Sequence, residues 1–465
     1  MAEKSLNDLP RELRSLLTKG NDAVQRENYD YAIDLFNQVL AREPGQFEIR
    51  KALRLAQVKK ACALANRELG FQTAEKTDAI VRACDEISAG QHADQFPLDA
   101  LQGGAGTSTN MNLNEVIANR ALELLGAARG DYAKLHPIED VNLHQSTNDV
   151  YPTALKVAAI SGLRALSAAL AALQGAFQRK EKEFSGIVKL GRTEMQDAVP
   201  MTLGAEFSAF AEAFARDRWR TFKAEERLRV VNLGGTAIGT GLTAPRSYIF
   251  LVIEKLREVT GLGLTRAENL VDGTANADCF VEVAGSLNAC ATNFIKIARD
   301  LRLLHLCGEI KLPAMQAGSS IMPGKVNPVI AEAALQAGMQ ARAAGALVAE
   351  AAAAGTLQIN ECLPLLAASL LDQLALLQHA AEMLAPHVEG ITADADLCRH
   401  YLDYSPALIT AFLPRLGYEQ AQAWLTEYKA GGQTDLRAFL TGKLGKEIVE
   451  QTLSPEHLMA LGYKK

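Results

Sequence analysis

Three chemical signatures are missing from this 465-residue chain. No C-x-x-C pair occurs. The seven cysteines, Cys62, Cys84, Cys279, Cys290, Cys307, Cys362 and Cys398, are scattered and odd in number, which fits reduced thiols rather than a disulfide frame or zinc site. No H-E-x-x-H occurs among the eight histidines, so nothing in the sequence asks for a metal. No G-x-x-x-x-G-K-[ST] occurs either, which argues against a nucleotide phosphate. An excess of one charge is also lacking: 48 Lys and Arg against 54 Asp and Glu leave a net charge of −6, with no basic face for nucleic acid or anionic lipid. The N-terminal stretch "MAEKSLNDLPRELRSLL" is too polar for a signal peptide, and apolar runs are expected to be broken by charges before they could span a bilayer. The expectation is a cytoplasmic protein with no nucleic acid and no membrane as partner, leaving small molecules or proteins.

Helical spacing is abundant and alternating, strand-like runs are scarce. "NEVIANRALELLGAA", "EFSAFAEAFARDRWR", "GSLNACATNFIKIARDLRLLHL" and "EAALQAGMQARAAGALVAEAAAA" repeat apolar residues at the helical period. Alanine-rich helices of this length suit an all-α bundle with closely approaching backbones. The last two are apolar on too many sides for a monomer's surface, so they predict oligomerisation. The expected divisions are residues 1–55, 56–150, 151–395 (the central bundle) and 396–465 (a small C-terminal helical domain).

The first of these divisions has its own pattern. In "KGNDAVQRENYDYAIDLFNQVLAREPG", Gly20, Asn21, Tyr29, Ala32, Ile33, Phe36 and Pro44 fall at the spacing of a tetratricopeptide repeat. A lone repeat cannot bury its own apolar face, so residues 12–46 would pack on the rest of the chain or on a protein partner. An ordinary helical hairpin that fits the spacing is the other reading.

Four polar loops interrupt the helices. "GGAGTSTNMN" precedes a helix expected near Asn112, "HQSTNDVYP" one near Pro152 and "GRTEMQDAVP" one near Pro200. "GSSIMPGKVNP" precedes one for which Asn327 is the expected N-cap and Pro328 the first residue. Each loop alone reads as helix capping. Together, hydroxyls beside helix N-termini and glycines that admit a ligand describe a pocket for a small polyanion, a dicarboxylic acid above all.

The segment "GSSIMPGKVNP" resembles the signature of the aspartase/fumarase superfamily. "GGAGTSTNMNLNEVIANRALE", "QSTNDVYPTA", "GRTEMQDAVPMTLGAEF" and "NLGGTAIGTGL" are similar to its other blocks in the expected order, from about Ala61 to the C-terminus. The resemblance implies a mostly helical subunit in a homotetramer, with loops from three subunits in each site. It also implies elimination from a succinyl-type small dicarboxylate to give fumarate, with no cofactor. By the same resemblance Ser319 is the base, Lys325 and Asn327 complete the catalytic set, and Thr107, Ser146, Thr147, Asn148, Thr193 and Ser320 bind substrate. Removing a proton beside a carboxylate makes an aci-carboxylate dianion, so donors must face the oxygens that gain charge. A serine is a poor base, and Ser319 is expected to be activated by burial near Lys325 and by backbone N–H groups, on a loop that closes as a lid.

"GTSTNMN", "QSTND" and "AVPMTLG" lean towards the aspartase branch, so loss of ammonia from L-aspartate is the first expectation. A hydratase acting on malate, a lyase for another succinyl compound and a lyase-fold scaffold with a partner-binding N-terminus are the alternatives. Glu194 departs from the pattern. The resemblance places histidine or glutamine there, and in fumarases a histidine paired with a glutamate at the position of Glu332. Glu194 facing Glu332 would set two carboxylates competing for a proton, against fumarase activity. A protonated Glu194 would behave as glutamine, and an ionised one could hold the substrate's ammonium. His305, Leu306 and Cys307 also depart, as packing changes near the lid or as a change in substrate choice. His136 matches an accessory anion position or is a plain surface residue, and His144 orients the "QSTND" loop or caps it.

Overall fold

A computed structural model describes residues 47–460 and 462, with side chains from Arg54 onward. The tetratricopeptide-like reading of residues 12–46 lies outside the described residues. Helices dominate the rest, as the spacing predicts. Helix α1 (Phe47–Glu68) and α2 (Ala74–Ser88) lead to α3 (Thr107–Leu124). The long helices follow: α4 (Thr147–Glu183), α5 (Leu203–Leu228), α6 (Arg246–Thr260), α7 (Asp278–Leu306), α8 (Val329–Ala353) and α9 (Leu363–Glu389). C-terminal helices α10 (Ala395–Tyr404), α11 (Leu413–Ala430) and α12 (Leu436–Leu444) come next, two short helices at Lys446–Thr452 and Pro455–Met459 end the described order, and three two-stranded pairings lie between helices.

Two compact units divide the chain. Among the described residues, the first takes those up to Ala165, with Arg220–Asn288 and Gln340–Leu376; the second takes Leu166–Trp219, Ala289–Met339 and those from Leu377. A small residue sets helix approach in the first and large aromatic rings fill the contact in the second. In the first, a Cβ on Gly345 would lie 2.4 Å from Asn288 Oδ1 and 2.7 Å from Gln373 Nε2, so α7, α8 and α9 meet where only hydrogen fits. In the second, Phe177 of α4 stacks on Phe214 of α5 at 5.7 Å, and Phe214 meets Phe294 of α7 edge-on at 5.1 Å. All three rings are fully buried, each contributing roughly 1.5–3 kcal/mol of apolar burial.

One expectation fails at α4. The sequence is expected to break every apolar run short of a bilayer's thickness, yet Thr147–Glu183 is long and apolar enough to cross one by length and composition. Half of its apolar window is buried inside the protein.

The helix starts also differ from expectation. Helix α3 begins at Thr107 rather than near Asn112, because Gly104, Ala105 and Gly106 take φ of +76°, +57° and +93° and turn the chain sharply into the helix. Helix α4 begins at Thr147 with Pro152 inside it. A proline at that position leaves the carbonyl four residues back without its helical donor, and the side-chain amide of Asn232 donates to that Asn148 carbonyl at 3.0 Å. The segment expected as a polar loop before Pro200 is a β-hairpin, β1 (Val188–Thr193) with β2 (Gln196–Thr202), irregular between Leu190 and Arg192; α5 starts only at Leu203.

Candidate active site

In the first unit, the starts of α3 and α4 are tied together. Asn110 Nδ2 donates to Thr147 Oγ1 at 3.0 Å. Ser146 caps α4: its Oγ accepts from Asn148 N at 3.3 Å, while Asp149 Oδ1 accepts from Ser146 N at 2.9 Å, a reciprocal capping box. Asp149 is fully buried, and its other oxygen accepts from Gly234 N at 3.0 Å and Thr236 N at 3.1 Å. Asn148 Nδ2 donates to Ala237 O at 2.7 Å. The "QSTND" and "NLGGTAIGTGL" segments are thereby sewn into one structure. Thr107 stands exposed at the α3 start, its hydroxyl donating to Gly104 O at 2.7 Å, and Ser146, Thr147 and Asn148 lie beside the α4 start. Two helix N-termini with hydroxyls and an amide suit a carboxylate.

In the second unit, the hairpin and the segment 313–328 carry the remaining expected residues. Thr193 ends β1, and the exposed tip places Glu194 and Met195 at φ of +52° and +60°. The hairpin is braced by two positive and two negative charges: Lys189 Nζ meets Glu206 at 2.6 Å and the fully buried Glu309 at 2.8 Å, and Arg192 meets Glu309 at 2.7 Å. Each buried charge thus has a partner. Leu190 packs with Leu402, Leu408, Phe412, Leu436 and Leu440 of the C-terminal helices.

The loop expected to act as a lid is stapled at its base. Gly318 N–H donates to Lys325 O at 2.7 Å and Asn327 Nδ2 donates to Gly318 O at 3.1 Å. A Cβ at Gly318 would sit 2.8 Å from Asn327 N, so the staple requires glycine there. Ser319 Oγ accepts two backbone N–H groups, Ile321 at 3.1 Å and Met322 at 3.0 Å. Donors converging on one oxygen favour its deprotonated form.

Two expectations change here. Asn327 is not an N-cap, since its amide holds Gly318 and α8 starts at Val329. The expected burial beside the lysine is not seen within one chain: Ser319 is half-buried, Ser320 and Lys325 are exposed, and the contacts recorded on Ser319 Oγ are the backbone donors.

Beside the lid base, Met195, Arg302, His305, Leu306, Pro328 and Glu332 line a cleft of about 410 Å³. Glu332 pairs with Arg302 at 3.5 Å, so its charge has a partner within the same unit, and the tip residue at the cleft is Met195 rather than Glu194. His305 Nδ1 accepts from Leu312 N at 3.3 Å at the entry to the lid. His136 caps the turn after it, its Nδ1 accepting from Ile138 N at 3.1 Å and Glu139 N at 3.2 Å. His144 pairs with Asn66 Oδ1 at 2.8 Å and packs on Phe71 and Tyr248, and burial lowers its pKa.

Comparison with known proteins agrees with the helical fold. A family profile described as Lyase matches residues 28–343. The aspartate ammonia-lyase of Corynebacterium glutamicum is 46% identical over 413 residues, covering 87% of this chain and 78% of that one. The chain belongs to this lyase family. Among solved structures, the cobalt-bound fumarate lyase:delta crystallin of Brucella melitensis superposes with a TM-score of 0.84 at 44% identity, covering 88% of this chain and 90% of that one. The class II fumarase of Schistosoma mansoni does so with 0.82 at 31% identity, again covering 88% and 90%. The family match begins at residue 28, inside the stretch read as a repeat.

Sequence reasoning missed the interior of this lyase's first unit. Asp149 was legible as the last residue of an S-x-x-D capping box but its burial was not. Burial raises its pKa to about 6 against the pull of the Ser146, Thr236 and Gly234 N–H groups and of Lys59. Lys59, likewise buried, is lowered to about 8 by desolvation. Because Asp149 binds its proton more readily folded than unfolded, its contribution to stability grows as pH falls from about 6 towards its ordinary 3.8 and vanishes above that window. In urea titrations across this range, the parent should therefore gain stability relative to Asp149→Asn as pH falls. A constant difference between the two would contradict the shift.

Proposed function

We infer that this lyase is an aspartate ammonia-lyase, with Ser319 as the base. Ser319 takes a proton from C3 of L-aspartate, and the electron pair moves into the adjacent carboxylate as a dianionic aci-carboxylate. The pair then returns to form the C2–C3 double bond of fumarate as ammonia leaves C2. The hydroxyls and amides of Thr107, Ser146, Thr147, Asn148, Thr193 and Ser320 hold the two carboxylates, and Lys325 and Asn327 serve the lid. The observation that carries this reading is the pair of backbone donors on Ser319 Oγ, which favours an alkoxide at that position without help from burial. The relatives bearing that activity support the choice of substrate.

Glu194 tests the choice. It stands exposed on the hairpin tip, where an amide of the same shape can replace its carboxylate without burying a polar group. Glu194→Gln should keep or raise kcat/KM for L-aspartate, measured beside the parent. A clear loss would mean that the carboxylate itself recognises the substrate.

A homotetramer, with loops from three copies of the chain in each site, is the finer proposal. Leu303 and Leu306 on α7 and Met339 and Leu347 on α8 are exposed apolar residues that support it. Light scattering should return four copies of the 50.0 kDa chain, and a monomer would overturn it. A cytoplasmic location and a protein partner for residues 12–46 are carried as proposals from the sequence pattern, the second on spacing alone.

A further inference from the structure

We propose that Lys59 is a positioning residue that fixes the direction in which the Thr147 hydroxyl donates. Lys59 is fully buried within the first unit, and its Nζ lies 2.7 Å from the side-chain oxygen of Asn142. An ammonium has donors and no acceptor, so the Asn142 atom facing it must be Oδ1. That oxygen also receives Asn110 Nδ2 at 3.3 Å and Asn114 Nδ2 at 3.2 Å, which turns both amide nitrogens towards it. The amide oxygens of Asn110 and Asn114 are buried with no hydrogen-bond partner among the described residues, so they do not set the orientation. The nitrogen of Asn110 reaches on to Thr147 Oγ1 at 3.0 Å. Thr147 Oγ1 accepts there, so its own hydrogen points away from Asn110 and is left to donate to another group.

The polarity matters more than the shape. An amide turned by 180° occupies nearly the same volume with donor and acceptor exchanged. Were Asn110 reversed, Thr147 would donate backwards to its oxygen and offer a lone pair to an incoming carboxylate, which repels it. The carbonyl of Gln145, accepting from Asn142 Nδ2 at 3.1 Å, holds the same sense from the other side. The ammonium supplies the end of the chain that cannot reverse.

This inference rests on Thr147 binding a substrate carboxylate, and the test separates the two claims. In the parent, Lys59→Met and Asn110→Asp should each raise KM for L-aspartate about tenfold with kcat within about twofold. Asn110→Asp keeps the shape and removes the donor, and it decides the matter if Lys59→Met fails to fold. Thr147→Val should itself raise KM and, in that background, neither change should raise it further. A parental KM in Thr147→Val would overturn the site reading. A raised KM in Thr147→Val with fully additive effects of both other variants would overturn this inference alone.

Discussion

Ser319→Ala loses roughly 10²–10⁴-fold in kcat, the range expected when a positioned base is removed, while its circular dichroism and thermal midpoint stay with the parent. The asymmetry follows from the site. Alanine deletes the one oxygen that receives the Ile321 and Met322 N–H groups, yet both residues are exposed and those donors can turn to water. The staple from Gly318 to Lys325 and Asn327 does not involve the hydroxyl, so the loop keeps its base. A fully active alanine variant would remove Ser319 from the mechanism.

The largest effect on stability should come from Gly239→Ala. Its φ of +85° disfavours any side chain, and a Cβ there would lie 2.3 Å from the Leu270 carbonyl oxygen and 2.4 Å from Val271 Cα. Both obstacles are backbone, so the loop itself must move. The same loop gives Asp149 the N–H groups of Gly234 and Thr236 and gives Asn148 the Ala237 carbonyl. The loss should therefore be about 3 kcal/mol or more, with KM raised in whatever folds. Gly263→Ala is the control: it is exposed, a Cβ there meets nothing within 4 Å, and its effect should stay within about 0.5 kcal/mol. Equal thermal midpoints for the two variants would contradict the account of this loop.

The helical bundle was legible because its signal is periodic and local, and the loop from Gly318 to Pro328 because glycines and prolines punctuate it. Helix starts were less so. Pro152 reads as a beginning, yet it sits inside α4 because Asn232, 84 positions from Asn148, supplies the missing donor. The hairpin from Val188 to Thr202 reads as a loop in the sequence, since its alternation is irregular between Leu190 and Arg192 and its charged residues are balanced in part by Glu309, 117 positions from Arg192. Lys59 and Lys60 stand side by side in the sequence. One is buried against Asn142 while the other forms a surface pair with Asp85 at 2.6 Å, a difference that tertiary packing alone creates. Ser319, Thr147 and Glu194 came from the resemblance; the network behind Thr147 came from the structure.

The central claim is tested most directly by following fumarate absorbance in the ultraviolet, with purified protein and L-aspartate and L-malate side by side from neutral to alkaline pH. Fumarate from aspartate and none from malate is the predicted result. Fumarate from malate alone, or none from either with a well-folded protein, would contradict it.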